Sequence, residues 1–337
     1  MGKLTPLGRL VVILLILGAI YAGLKFSGTL DKLIASKPAD EQIEQISSNN
    51  NENKEETTNN NTSNVVQTSS SFTYTPPAPI GGKLRGVVEL GASGFNSFII
   101  KIDESKTWKL EKAEFGNSLA IENMATDADI ASGLKKYIGS KLDFGVSGKD
   151  IHFVVSSGAV KAENTQKIIK VLKGMKYYVN TVTAEQEGQY ALKCVLPKSY
   201  EEKGFVVDIG SGNTKISWIE GGKIKSLEGS GAKYFQNGTD DKKIYDEISA
   251  IAKQVPSNKR ETCFIIGGAP FKLAKQVRKG EERYTVLGTP DSYKAEDAKD
   301  KAGLNIYKAI AETTSCKTFV FDWDANFTIG FLLGLPY

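Results

Sequence analysis

Gly86-Val-Val-Glu89-Leu-Gly91-Ala-Ser93-Gly94-Phe-Asn96-Ser97-Phe-Ile-Ile and, about 120 residues further on, Phe205-Val-Val-Asp208-Ile-Gly210-Ser211-Gly212-Asn213-Thr214-Lys-Ile-Ser-Trp are two versions of one pattern. Each reads as an apolar strand, an acidic residue, a turn of small residues and a second strand. Glycine lets a tight turn take positive φ and lets backbone N–H groups come close to an anion. An acid at the strand end is placed to hold a hydrated metal ion. Two such turns facing each other would grip a phosphate chain and its Mg²⁺ from both sides, which points to a cleft that handles phosphoryl groups.

The flanking sequence repeats as well. After the first turn, Phe98–Asp103 and Thr107–Leu110 read as strands, with Trp108 and Leu110 on one face. Asp127–Ile138 has helical spacing, with Ile130, Leu134 and Ile138 in line, and Asn164–Leu172 is amphipathic. Ile151–Val155 and Tyr177–Val182 are further strands. Thr183-Ala-Glu-Gln186 is a capping box that opens a helix running to about Val195. In the second half, Phe205–Asp208, Lys215–Ile219 and Lys223–Leu227 are strands, the last two joined by Gly221-Gly222. Helices are expected at Ile244–Ala252, Phe271–Val277, Ala295–Thr313 and Ile329–Leu333, and strands at Cys263–Ile266 and Thr318–Phe321. The repeated order implies an internal structural duplication.

Composition narrows the function classes. Hydrophobic residues make up 40% of 337 residues and the net charge is only +4, which argues against a nucleic-acid binder driven by bulk charge. Cys194, Cys263 and Cys316 are far apart with no C-x-x-C pair, so buried free thiols are expected rather than a disulfide framework or zinc site. The single histidine, His152, lies in an apolar run and reads as a strand residue, which leaves no His-based triad. Leu10–Leu24 is uncharged and apolar between Lys3, Arg9 and Lys25. It reads as a short signal-anchor over 1–26, a secretory signal peptide being the alternative. The short N-terminal tail favours a single-pass membrane protein with its folded part outside the cytoplasm. Residues 27–82, rich in Asn, Ser, Thr, Glu and Gln, read as a disordered linker that Pro76-Pro-Ala-Pro79 stiffens at its end. The folded part is then 83–337, divided into lobes 83–190 and 191–337.

Five motifs in this order resemble those of the exopolyphosphatase and guanosine pentaphosphate phosphatase family, within the acetate and sugar kinase, heat-shock chaperone and actin ATPase superfamily. Val87–Phe98 resembles the first phosphate motif, D-L-G-S-N-S. Val206–Thr214 resembles the second, D-I-G-G-G-S-T-E. Ser156-Ser-Gly-Ala-Val-Lys161-Ala-Glu-Asn164 is similar to T-S-A-x-R-x-A-x-N, Val182-Thr-Ala-Glu-Gln-Glu187-Gly to I-S-G-x-E-E-A, and Ile265-Ile-Gly267-Gly268 to a late glycine motif. The resemblance covers nearly all of the folded part. It implies an α/β, two-lobed, duplicated ribonuclease H-like (actin-like ATPase) fold, here behind an N-terminal transmembrane helix.

The resemblance also implies site residues. Glu187 would be the base that activates water for in-line attack on a terminal phosphorus. From its place in the first helical turn alone, it could equally be a solvated acid favouring the helix dipole, and Glu185 is as near. Asp208 and Glu89 would hold Mg²⁺. Gly91, Ser93, Gly94, Asn96, Ser97, Lys161, Gly210, Ser211, Gly212, Asn213, Thr214, Gly267 and Gly268 would contact phosphate. Glu89 stands for the family's Asp, Asn213 for its Ser and Lys161 for its Arg, which loses the bidentate fork. The first turn also reads as a couple of residues longer. Two functions follow: a membrane-tethered, Mg²⁺-dependent hydrolase releasing terminal phosphate from polyphosphate or guanosine pentaphosphate, or a catalytically inactive binding or scaffold module on the same fold. The retained acids favour the first. A cytoskeletal or pilus-assembly adaptor is a weaker third. Relatives of this fold often pair, so a homodimer is conceivable.

Overall fold

The computed structural model describes residues 72–91, 94–115 and 126–337, and its elements repeat as the sequence does. The first half runs β1 (Lys83–Gly91), β2 (Gly94–Ile102), β3 (Trp108–Glu114), α1 (Asp127–Asp143), β4 (Ile151–Val155), α2 (Glu163–Gly174), β5 (Tyr178–Thr181) and α3 (Ala184–Val195). The second runs β6 (Gly204–Ile209), β7 (Asn213–Glu220), β8 (Lys223–Ser230), α4 (Asp241–Ala252), β9 (Thr262–Ile266), α5 (Gly268–Val277), β10 (Tyr284–Val286), α6 (Ala298–Thr314), β11 (Thr318–Asp322) and α7 (Phe327–Gly334). The sheet orders are β3-β2-β1-β4-β5 and β10-β11-β9-β6-β7-β8. Each sheet has an antiparallel three-strand meander at one side and two strands joined in parallel to its first strand at the other. The expected α/β duplication is therefore present in five strands of each sheet, with β10 an addition at the edge of the second.

The elements form for local reasons. β6 and β9 are buried at every position, as strands covered on both faces must be, and their sequences are accordingly continuous apolar runs with one acid. α2 buries Ile168, Ile169 and Leu172, and α1 buries Ile130, Leu134 and Ile138, the two apolar stripes expected from spacing. α3 opens on the expected capping box. Thr183 Oγ1 accepts from Gln186 N at 3.2 Å, and Gln186 Oε1 accepts from Thr183 N at 2.9 Å. Gly221 and Gly222 turn the β7–β8 hairpin with φ of 57° and 72°.

Three apolar cores follow. One lies between the first sheet and α1 and α2, and one between the second sheet and α4, α5 and α6. The third lies between the sheets, where Val87, Phe98 and Val154 meet Val206, Phe264 and Val320 around α3 and α7. The last helix of each half crosses over. α3 packs on β6, β7 and β8 of the second sheet, whereas α7 packs on β1 of the first and on α3. At their crossing a Cβ on Gly330 would stand 1.9 Å from the Tyr190 carbonyl oxygen, so only glycine permits this approach.

Two expectations are corrected, and one strand was not foreseen. Residues 72–82, assigned to the disordered linker, are laid onto the fold. Phe72 stacks edge-on against Phe264 and Tyr284, Tyr74 packs against Tyr200 and Tyr284, and Ile80 N–H donates to Asp103 at 3.0 Å. Aromatic side chains in an otherwise polar stretch found an apolar surface to cover. β2 starts at Gly94 rather than Phe98, because the ladder with β1 continues as far as the Gly91–Gly94 pair. β10 was not foreseen; three residues carry no readable alternation, and the strand is held by antiparallel pairing to β11. Among the described residues no helix is long and apolar enough to cross a membrane, and the anchor expected at 1–26 lies outside them.

Candidate active site

The ends of β1 and β6, the turn after β4 and the first turn of α3 meet between the lobes. Asp208, near the end of β6, is paired directly across from Lys215 on β7, so the two side chains share a face. Lys215 Nζ lies 2.6 Å from Glu187 Oε2 and 3.7 Å from Asp208 Oδ2. Glu187 Oε1 accepts the Ser157 backbone N–H at 2.6 Å. Both Glu187 oxygens are thus engaged, one by each half of the fold. The alternative reading of Glu187 as a solvated first-turn acid does not hold, because the residue is 1% exposed. Glu185 stays at the surface, where it accepts from Gln189.

Glu89 is the third carboxylate. Its Oε2 accepts from Asn96 Nδ2 at 3.0 Å and from Asn326 Nδ2 at 3.2 Å, and Asn326 also caps α7 through its Oδ1. Burial raises the Glu89 pKa; the two amides pull it down, and the charges of Asp208 and Glu187 push it up again, leaving it above the usual carboxylate value. For Lys215, burial lowers the pKa, but Asp208 and Glu187, with Glu89 behind them, outweigh it and leave the ammonium more firmly charged than an ordinary lysine.

The other residues singled out in the sequence divide. Gly91 and Asn96 lie beside Glu89. Gly94 closes the same hairpin, and Ser93 lies outside the described residues. Asn213 bridges the lobes through Nδ2, to Ser157 Oγ at 3.2 Å and Glu228 Oε1 at 2.7 Å. Gly210, Ser211 and Gly212 form the second turn, whose Gly210 N–H is taken by the Asn213 carbonyl at 3.0 Å. Gly267, with φ of 105°, passes so close that a Cβ there would stand 2.8 Å from Asp208 Oδ1. Gly268 starts α5, which has no side-chain cap to take up its first amides. Two assignments are corrected. Ser97 faces the outer helices and donates to Glu114 at 3.0 Å, and Thr214 Oγ1 donates to the Ser230 carbonyl at 2.8 Å. Both are buried on partners of their own, because alternate strand residues point to opposite faces. Lys161 sits exposed in the turn before α2.

Lys215, Ser157 and Asn326 were missed. The signal for Lys215 was in the second motif itself: its last letter is an acid, and this chain writes lysine there.

Mg²⁺ needs about six oxygen donors at roughly 2.1 Å in near-octahedral array. Asp208 and Glu187 instead face an ammonium, and the Glu89 oxygen nearest the amides is occupied by two of them. Among the described residues no group of three or more His, Cys, Asp or Glu side chains is arranged to hold a metal. The residues as they stand do not fit the ion.

No family model matches the chain, and no curated protein does. Solved structures do. A Ppx/GppA family member from Aquifex aeolicus superposes with a TM-score of 0.57 at 18% identity, over 74% of this chain and 96% of that one. The fold is that of the Ppx/GppA structures. An exopolyphosphatase from Cytophaga hutchinsonii gives 0.58 at 13% identity, over 75% and 99%. The type II crystal variant of the Aquifex Ppx/GppA phosphatase gives 0.55 at 18%, over 74% and 98%. The Ppx/GppA fold thus accounts for nearly the whole of those proteins, and here for the part after the N-terminal segment.

Proposed function

We propose that this chain is a phosphoanhydride hydrolase of the exopolyphosphatase type, acting on the terminal phosphate of polyphosphate or guanosine pentaphosphate. The observation that carries this is the position of Glu187: helix α3 delivers its carboxylate to the floor between the two acid-bearing turns, beside Asp208. In this reading the second turn and the uncapped start of α5 receive phosphate oxygens through backbone N–H groups. Glu187 orients the attacking water and takes its proton as the terminal P–O bond breaks. Residues 1–26 tether the enzyme to a membrane with the folded part outside the cytoplasm.

A second reading, a non-catalytic anion- or partner-binding module, is favoured by one observation: both Glu187 oxygens are already engaged, one of them by an ammonium. The deciding experiment is phosphate release by the full-length chain from long-chain polyphosphate and from guanosine pentaphosphate, beside Glu187→Gln. Release that is lost in the variant supports the hydrolase and its base. No release from either folded protein leaves the binding module.

A further inference from the structure

Lys215 is 5% exposed and held by geometry rather than by chance contact. The antiparallel register puts it directly opposite Asp208, and its Nζ reaches Glu187 at 2.6 Å from a different helix. The Glu187 and Asp208 side chains are themselves 1% and 10% exposed. Three carboxylates from three separate elements, β1, α3 and β6, share this region with one ammonium.

An ammonium and a divalent cation compete for such a place. Both neutralise carboxylates, but their like charges a few ångströms apart in a poorly hydrated site repel strongly. A hard divalent ion would also need the oxygen atoms that Lys215 now holds. An acid at position 215 would reverse this, because it would join Glu89, Asp208 and Glu187 as a fourth carboxylate, an all-oxygen donor set of the kind hard cations take. An ammonium, meanwhile, can meet a phosphate oxygen directly as a point charge, and Glu187 occupies only one of its three N–H donors.

We infer that Lys215 is the resident cation of this cleft in place of a divalent metal, so that the site engages an anionic ligand without Mg²⁺, and that exchanging this one side chain for an acid creates a metal site. The inference rests on the reading of this cleft as the functional site, but it does not require turnover.

The test is a titration of the full-length chain with Mn²⁺, following free ion by electron paramagnetic resonance, beside Lys215→Glu and Lys215→Met. Tryptophan fluorescence and circular dichroism check that each protein is folded. The wild type is expected to leave Mn²⁺ free, and Lys215→Glu to bind one equivalent at least about tenfold more tightly. Lys215→Met removes the charge without adding an acid and is expected to fall between them. One Mn²⁺ bound by the wild type as tightly as by Lys215→Glu overturns the inference, as do folded variants that gain nothing. If neither variant folds, the wild type decides alone, a bound equivalent overturning the inference and its absence upholding it. Because no substrate is present, a failure to release phosphate in the earlier assay would sink the hydrolase reading and leave this result intact.

Discussion

Glu89 keeps a half-buried carboxylate within the field of two others, and its pKa is raised above the ordinary 4.5 by burial and by Asp208 and Glu187 against the pull of two amides. A group whose folded pKa lies above its unfolded one adds stability that is complete below the unfolded value and is lost as pH rises through the folded value. Glu89→Gln keeps a carbonyl oxygen for the Asn96 and Asn326 amides but carries no charge. The variant is therefore expected to melt higher than wild type at pH 8, with the gap closing towards pH 4; thermal melts across that range check it, and a gap that widens in acid would contradict it. Glu89 and Asp208 were legible because an acid closing an apolar strand before a glycine turn is a local pattern. Lys215 was marked only by its departure from the acid that ends the second motif; its partners could not be read, because a lysine in a strand reads as solvated unless one knows what stands across the sheet and above it. Ser157 meets Glu187 through its backbone N–H, a contact that leaves no mark on side-chain identity.

Helices α3 and α7 show what one element adds. Their sequences give helical spacing and caps, and both were expected. That each covers the other half's sheet was not, since amphipathic spacing says that a face is buried but not against what. Gly330 is the contact where the two backbones come nearest. Gly330→Ala is expected to destabilise the fold by about 3 kcal/mol, the upper range for forced overpacking, because the obstacle is a carbonyl rather than a side chain that could rotate away. Chemical denaturation measures it, and an unchanged midpoint would mean that the helices cross with more room than 1.9 Å implies. The element that escaped the sequence altogether, β10, is three residues long and exists through its partner strand.

Across the whole molecule, the duplicated two-lobed plan was legible because the motif and its flanking elements occur twice. The N-terminal limit of the folded part was not, because composition flagged the stretch as linker while Phe72 and Tyr74 supplied the few rings that dock. A chain beginning at Phe72 is expected to be more stable than one beginning at Lys83 by about 2 kcal/mol, the order of one buried aromatic side chain. Equal denaturation midpoints for the two would return residues 72–82 to the linker. The lobes are joined at the site as well as through the core, by Asn213 to Ser157, Glu187 to Lys215 and Asn326 to Glu89.

The exchange of helices between halves has a consequence for how the protein is made. Arg85, a buried residue of β1, donates to the carbonyls of Leu332 and Pro336, and 247 residues separate it from the nearer of the two. At ribosomal speed that gap is on the order of ten seconds or more. For all of it the first sheet has emerged without the helix that covers its inner face, and a buried guanidinium has no carbonyl to meet. The earlier-made half must wait, open, for the later-made helix, so during synthesis the chain depends on being kept from sticking to its neighbours rather than on folding early.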